Sequence, residues 1–467
     1  MKKILLFTLL LAGCAVGPDY KRPEADIPMQ FKEMQGWRVA TPADAAPRGS
    51  WWAMFGDAEL DGLMERVDVS NQTIRAAEAR FRQARALTDQ ARSGLFPAVS
   101  ANGSITRSKQ PSLPNAPSTT GAVTNYNASL NASWEPDLWG GVRRAVEADD
   151  AGWQASAAQL EAARLSARAT LAQSYFALRV TDANRQLLED TVAAYERTLQ
   201  LTRNRYASGV VARVDVVQAE VQWKSAQAQL IDIAVERGQL EHAIALLVGD
   251  APANFALERK PLVLAMPQIP VGMPSELLER RPDVASAERN VAAANARIGV
   301  AKAAYFPAIT LNGAVGYRTT NIADIFALPS RFWSIGGSIA QAVFDAGLRK
   351  AQTAQAIAAY DEQVANYRQT VLTGFQEVED NLVALRVLED EARIQDEVVQ
   401  AARQAVELTT NQYRAGVVSY LNVIQAQATQ LANERAAASI LGRRLTASVG
   451  LVRALGGGWT AEALPQR

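Results

Sequence analysis

Very few side chains in this 467-residue sequence have the type and spacing for covalent or acid–base chemistry. There is one cysteine, Cys14, and one histidine, His242. A lone histidine excludes a multi-histidine metal site, and a histidine-based triad would have to use His242 itself. His242 sits in the Ala/Leu-rich helical stretch "EHAIALL" (241–247), where packing is its expected role. The acidic pairs Asp149-Asp150 and Glu379-Asp380 fall in helix-forming sequence and read as solvated helix surface. No phosphate-binding loop or Gly-x-Ser-x-Gly elbow occurs. The glycine-rich "ALGGGW" (454–459) follows a helix instead of opening one, which argues against phosphate cradling. With 48 basic and 48 acidic side chains the formal net charge is zero, so nothing suggests a nucleic-acid partner. These residues predict a protein that is not an enzyme and uses no cofactor.

The chemistry of Cys14 is explained by what precedes it. In "MKKILLFTLLLAGC" two lysines lead an apolar run, Ile4 to Ala12, that is too short to span a bilayer. Small residues follow, the form of an export signal. Leu11-Ala12-Gly13-Cys14 looks like the lipobox of a bacterial lipoprotein, so residues 1–13 are expected to be removed and Cys14 to carry covalent lipid. As the sole cysteine it has no intrachain disulfide partner. Ala15 follows it in place of the aspartate that retains such proteins at the inner membrane, which favours the outer membrane.

The elements are laid out twice. "NRYASGVVARVDVVQA" (204–219) and "NQYRAGVVSYLNVIQA" (411–426) are identical at eight of sixteen positions, 207 residues apart. "ARSGLFPAVSANGS" (91–104) matches "AKAAYFPAITLNGA" (301–314) at six of fourteen, and "GVRR" at 141 corresponds to "GLRK" at 347. A repeat this long is a duplicated domain half, not a solenoid unit. Each half contains two runs of alternating apolar and polar residues, about 97–107 and 123–135, then about 307–318 and 331–343. A half-buried soluble sheet alternates in the same way, but each run has about the length a tilted strand needs to cross a bilayer. Four strands cannot close a barrel, and a spanning sheet cannot leave open edges in lipid. Several copies of the chain must therefore share one barrel.

Nearly everything else reads as helix. Val142 to Arg205 holds one glycine and no proline, about 95 Å at 1.5 Å per residue. Leu171, Leu178, Leu188, Val192, Tyr195, Leu199 and Tyr206 recur at near-heptad spacing in its second half, with Arg185 interrupting, and Leu348 to Arg414 repeats the arrangement. Such lengths suit a coiled-coil tube. Shorter helices are expected at about 60–95 and 275–305, each ending before a Phe-Pro, and at about 214–248 and 421–455 after the glycine turns. The long helices leave the membrane side, so the turns at 206–213 and 413–420 are distal tips. The organisation is then signal 1–13; an anchored, irregular 14–60; repeat 1, 61–250; a proline-rich linker, 251–274; repeat 2, 275–456; and a tail, 457–467.

The chain resembles the outer-membrane efflux protein family, the TolC/OprM type, in its lipoprotein branch. "CAVGPDYKRP" (14–23), "WWAMFGDAEL" (51–60), "LLERRPDVASAE" (277–288), "AAYFPAITLNG" (303–313) and "ALGGGW" carry the likeness across essentially the whole mature chain. The resemblance implies an α+β membrane protein: a homotrimer with a twelve-stranded outer-membrane β-barrel, four strands per chain, continuous with a twelve-helix periplasmic tube. It implies the exit duct of a tripartite pump, with a periplasmic membrane-fusion adaptor and an inner-membrane RND-type transporter as partners. Gly209, Val210 and Val211, with Gly416, Val417 and Val418, correspond to the tips that the adaptor touches. A glycine that ends a helix beside exposed valines is also a small apolar docking surface in its own right. The family's constriction falls by position on Leu421 and Gln425. Many members carry aspartate at the second place and some an arginine three residues on, where this chain has Gln425 and Ala428. An uncharged gate is therefore expected, with weak cation preference. An exit duct for type I protein secretion shares the fold and is the alternative; the VGPDY-type start favours small-molecule efflux.

Overall fold

The computed structural model describes residues 15–33, 50–109, 121–260, 267, 269, 280–459 and 464–465. The expected signal 1–13, Cys14 and half of the proline-rich linker lie outside the described residues. In chain order the helices and strands are α1 (Ala58–Ser70), α2 (Gln72–Ser93), β1 (Ala98–Ser108), β2 (Val123–Trp134), α3 (Gly141–Ala207), α4 (Arg213–Leu247), α5 (Pro282–Ala303), β3 (Ala308–Thr319), β4 (Arg331–Ala340), α6 (Leu348–Arg414) and α7 (Tyr420–Ala454).

The strands form one antiparallel sheet in the order β1-β2-β3-β4. Its register sets Leu130 opposite both Ala101 and Val315, and Trp333 opposite Val315, so the apolar sets share one face. β1 and β4 are open edges. No described helix is long and apolar enough to cross a membrane. The two long helices span 67 residues each, about 100 Å. Asp137 starts α3, its carboxylate accepting from the Val142 and Arg143 amides at 3.0 and 2.9 Å. Asp345 does the same for the chain entering α6, accepting from Gly347 N at 3.0 Å and Arg349 Nε at 2.5 Å. α3 packs against α2, α4, α5 and α7, and α6 against α5 and α7.

The main core lies around the middle of the long helices, where Trp51, Trp52, Phe55, Tyr175, Phe176, Val378 and Leu451 are buried together. Three of the family-like motifs sit here: 51–60, the described part of 277–288, and 454–459. Asp57 caps α1 and accepts from Tyr175 Oη at 2.6 Å. Arg179 is buried against Glu59 and against Asp182 at 3.0 Å, and donates to the Glu258 carbonyl at 2.8 Å. Arg281 bonds Asp283, Glu377 and the Ala454 carbonyl that ends α7. Gly456 then passes against the Arg280 carbonyl, leaving no room for a Cβ. These motifs therefore fasten each half within itself, and the shared hydrophobic core forms the girdle that joins the halves.

Four sequence expectations need correction. The helix expected over 60–95 is two, because Asn71 leaves helical geometry and its side chain accepts from Thr73 N and Ile74 N at 2.9 and 3.1 Å, capping α2. Asp150 is buried beneath Arg92, 3.0 Å away, and Glu379 receives the Lys32 and Glu33 amides, so these acids fasten chain segments. His242 is exposed, not packed. In the heptad series Leu171, Leu178, Leu188, Tyr195 and Leu199 are buried, whereas Val192 is half-buried and Tyr206 exposed. The expected helix start at 275 lies outside the described residues; α5 itself begins at Pro282, a proline tolerated at a first helical turn.

Candidate functional site at the helix tips

Both hairpins end in the same turn. Gly209 has φ 71° and donates to Tyr206 O at 2.9 Å, while Val210 N reaches Arg205 O at 2.9 Å. Gly416 has φ 78°, donates to Tyr413 O at 3.0 Å, and Val417 N reaches Gln412 O at 2.9 Å. These paired bonds satisfy the last carbonyls of α3 and α6 and require a left-handed residue after each helix. Nothing lies within 4 Å of a Cβ built on either glycine, so backbone conformation, not space, selects glycine here.

The turns leave one valine of each pair free. Val210 is 61% and Val417 73% exposed, whereas Val211 and Val418 are half-buried, Val418 against a small tip core. The expectation of two exposed valines per tip thus holds only for the first of each.

That core joins the hairpins. Leu199, Ala219, Tyr413, Tyr420 and Val423 are buried together, with the rings of Tyr413 and Tyr420 5.4 Å apart. Burial raises the Tyr420 phenol above its ordinary pKa, with Tyr413, Tyr195 and Asp215 acting in the same direction, so it stays uncharged. Arg205 of the first hairpin lies over the Tyr413 ring at 4.6 Å and donates to the Tyr413 and Arg414 carbonyls at 2.6 and 3.3 Å. It closes the C-terminus of α6 with a positive charge, where the helix dipole favours one. The equivalent position in the second hairpin is Gln412, so the clasp runs one way only. Sequence reading missed Arg205, because its partner lies 208 residues away along the chain.

Leu421 and Gln425 are exposed and one turn apart on α7, so they share a stripe. Tyr420, Val423 and Gln427 on the same helix face inward. The gate candidates thus point away from their own hairpins. Asp215 and Glu220 mark the corresponding stretch of α4, where α7 has Asn422 and Gln427, and from Asn411 to Gln430 the only charge is Arg414. A second missed feature is an apolar stripe left bare on α4, formed by Val214, Val217, Val221, Ile231 and Val235. Among the described residues no cluster of His, Cys, Asp or Glu could hold a metal ion.

A family model described as "Outer membrane efflux protein" matches residues 63–250 and 273–457. The toluene efflux pump outer membrane protein TtgC of Pseudomonas putida is 33% identical over 456 residues, 96% of this chain and 94% of that protein. The pyoverdine export outer membrane protein OpmQ of Pseudomonas aeruginosa is 31% identical over 470 residues, 99% of this chain and 98% of that one. Among solved structures, the outer-membrane channel OprN superposes with a TM-score of 0.89 at 31% identity, covering 96% of this chain and all of that one.

Proposed function

The chain belongs to the outer membrane efflux protein family, and from that premise we propose how this member assembles, closes and docks. It is an outer-membrane efflux channel, built as a β-barrel continuous with a helical tube. One observation carries this reading: two 67-residue helices run from one open-edged, apolar-faced sheet to glycine turns at a common far end. Three copies close the twelve-stranded barrel. The duct conducts toxic small molecules passively, and the energy comes from an inner-membrane RND-type transporter reached through a periplasmic membrane-fusion adaptor.

The adaptor docks on the tips, on Gly209 to Val211 and Gly416 to Val418, with Val210 and Val417 as its apolar contacts. The gate narrows on Leu421 and Gln425 of each copy. Supporting this, both side chains are exposed in the isolated chain and no acid lies near them on α7. Leucine packing and amide hydrogen bonds would close such a ring without the repulsion of three clustered carboxylates.

Cys14 carries the lipid. The support is the placement of the residues that follow it: Ala15 lies against Gly140, and Val16 N donates to Trp139 O at 3.1 Å, between the end of β2 and the start of α3. Arg144 and Asn295 fasten the next residues, bonding the Val16 and Pro18 carbonyls at 3.3 and 2.9 Å. Ala15 to Pro18 are thereby fastened beside the start of α3, where the sheet meets the long helix.

The test is a deletion strain challenged with a panel of solvents, dyes and antibiotics while its secreted proteins are profiled. Increased susceptibility restored by the wild-type gene is expected. Unchanged susceptibility with one missing exoprotein would replace efflux by type I secretion.

A further inference from the structure

We propose that the outer rim of the barrel binds the phosphates of outer-leaflet lipid at each seam between chains, through Arg107 and Lys109 of one copy and Arg331 of its neighbour. The inference rests on the three-chain barrel. Bilayer-facing residues of such a barrel alternate with lumen-facing ones, and the apolar set faces lipid. The register puts Arg107 opposite Thr124 and Arg331 opposite Tyr317, on the face that carries Val99, Ile105, Tyr126 and Trp333.

Every strand has the same apolar run and one of two endings. Val99 to Arg107, Trp134 to Tyr126, Ile309 to Tyr317 and Ile339 to Arg331 are each eight positions apart on that face. Eight positions are about 27 Å along a strand, or about 20 Å of height at a tilt of about 40°, close to the apolar band of such barrels. At the end away from the helices, the two central strands finish in tyrosine and the two edge strands in arginine. The four endings step about four positions, or about 13 Å, across three strand spacings, about 14 Å. That slope is about 43°, within the usual strand tilt, so tyrosines and arginines ring the barrel at one depth.

Edge strands meet their neighbours when the barrel closes, which brings β4 of one copy beside β1 of the next. The arginine-ended strands are therefore the pair that forms each seam. The charge there is uncompensated. The four strands contain no Asp or Glu, and Lys109 follows β1 directly. No ion pair among the described residues involves Arg107, Lys109 or Arg331. The one acid between β3 and β4, Asp324, is bonded to Asn321 Nδ2 at 2.9 Å, and Arg318 on the opposite face covers Phe332 at 5.0 Å. Charges that only discourage mispairing of edges need not share a face and a depth, and these share both. Guanidinium groups at the top of an apolar band meet lipid head groups, and their planar fork matches phosphate.

The test uses purified full-length trimers, with assembly verified by mass, and native mass spectrometry of bound lipid. Bisphosphorylated lipid A is compared with the same lipid after removal of its phosphates. Wild type is expected to retain phosphorylated lipid at up to three sites and to bind the dephosphorylated form at least about tenfold more weakly, the scale of one charge-assisted bond. Arg107→Gln with Arg331→Gln should lose that preference, and Arg318→Gln should keep it. Equal binding of the two lipids by wild type, or an unchanged preference in the double variant, overturns the sites. A chain that stays monomeric overturns the three-chain barrel itself.

Discussion

At the scale of single residues, the proposed closure would depend on one cation and on an absence of acids. Separating the hairpins breaks the Arg205 clasp, a cation–π contact plus charge-assisted bonds to the α6 carbonyls. At a half-buried site these contribute about 1–2 kcal/mol, and 1.4 kcal/mol is a factor of ten. Arg205→Ala should therefore raise the open probability roughly tenfold in planar-bilayer recordings, with Arg205→Lys recovering only part, because lysine lacks the planar fork. Unchanged gating would mean that the hairpins separate elsewhere. The gate itself is tested by charge. In the proposed gate a ring of three Gln425 side chains would offer multivalent cations no carboxylate, so a trivalent cation at micromolar concentration on the periplasmic side should leave current intact. Gln425→Asp should create that block and strengthen cation preference. Block of wild type, abolished in Gln425→Ala, would refute the neutral gate.

At the scale of elements, the glycine turns separate conformational cost from packing cost. Gly416 sits at φ 78° with open space where a Cβ would go, so Gly416→Ala carries only the left-handed penalty, about 1 kcal/mol. Amide exchange at the tip should speed about fivefold while exchange in the mid-tube girdle stays constant. Elements like these were legible from sequence because their signals are local. Period-2 alternation located all four strands within a few residues, and unbroken helix-forming sequence located α6 at Leu348–Arg414. The break at Asn71 was readable in principle, since asparagine is a strong N-cap, but it lay inside a run that otherwise favours helix. The buried ion pairs were not readable. Asp150 with Arg92, and Arg281 with Glu377, join residues 58 and 96 positions apart, and a carboxylate on a helix looks solvated until its partner is in place. The tip core failed for the same reason, because spacing along one helix does not reveal which hairpin lies beside it.

At the scale of the whole molecule, the internal repeat dictates how copies must join. Within the chain α3, the long helix of the first half, packs against its own α4 and also against α7 of the second half. The repeat makes α6 the counterpart of α3, and α4 the counterpart of α7. By that symmetry α6 requires an α4 beside it, yet its own chain does not supply one. Both helices accordingly leave apolar stripes bare, Val214, Val217 and Val221 on α4 and Val387, Ile394, Val398 and Leu408 on α6. A neighbouring copy would complete the pattern, so that the seam between chains would repeat the contact inside each chain and the tube would close without an exceptional joint. Each valine or isoleucine buried there contributes about 1.5–3 kcal/mol, and a carboxylate placed among them costs more than the side chain it replaces. Val221→Glu and Ile394→Glu should each weaken all three seams and shift the detergent-extracted protein towards monomer in size-exclusion chromatography with light scattering. Val210→Glu, at the tip and outside the seam, should leave the trimer intact while impairing drug resistance through the proposed docking site. Trimers that survive both seam substitutions would show that the barrel strands alone hold the copies together.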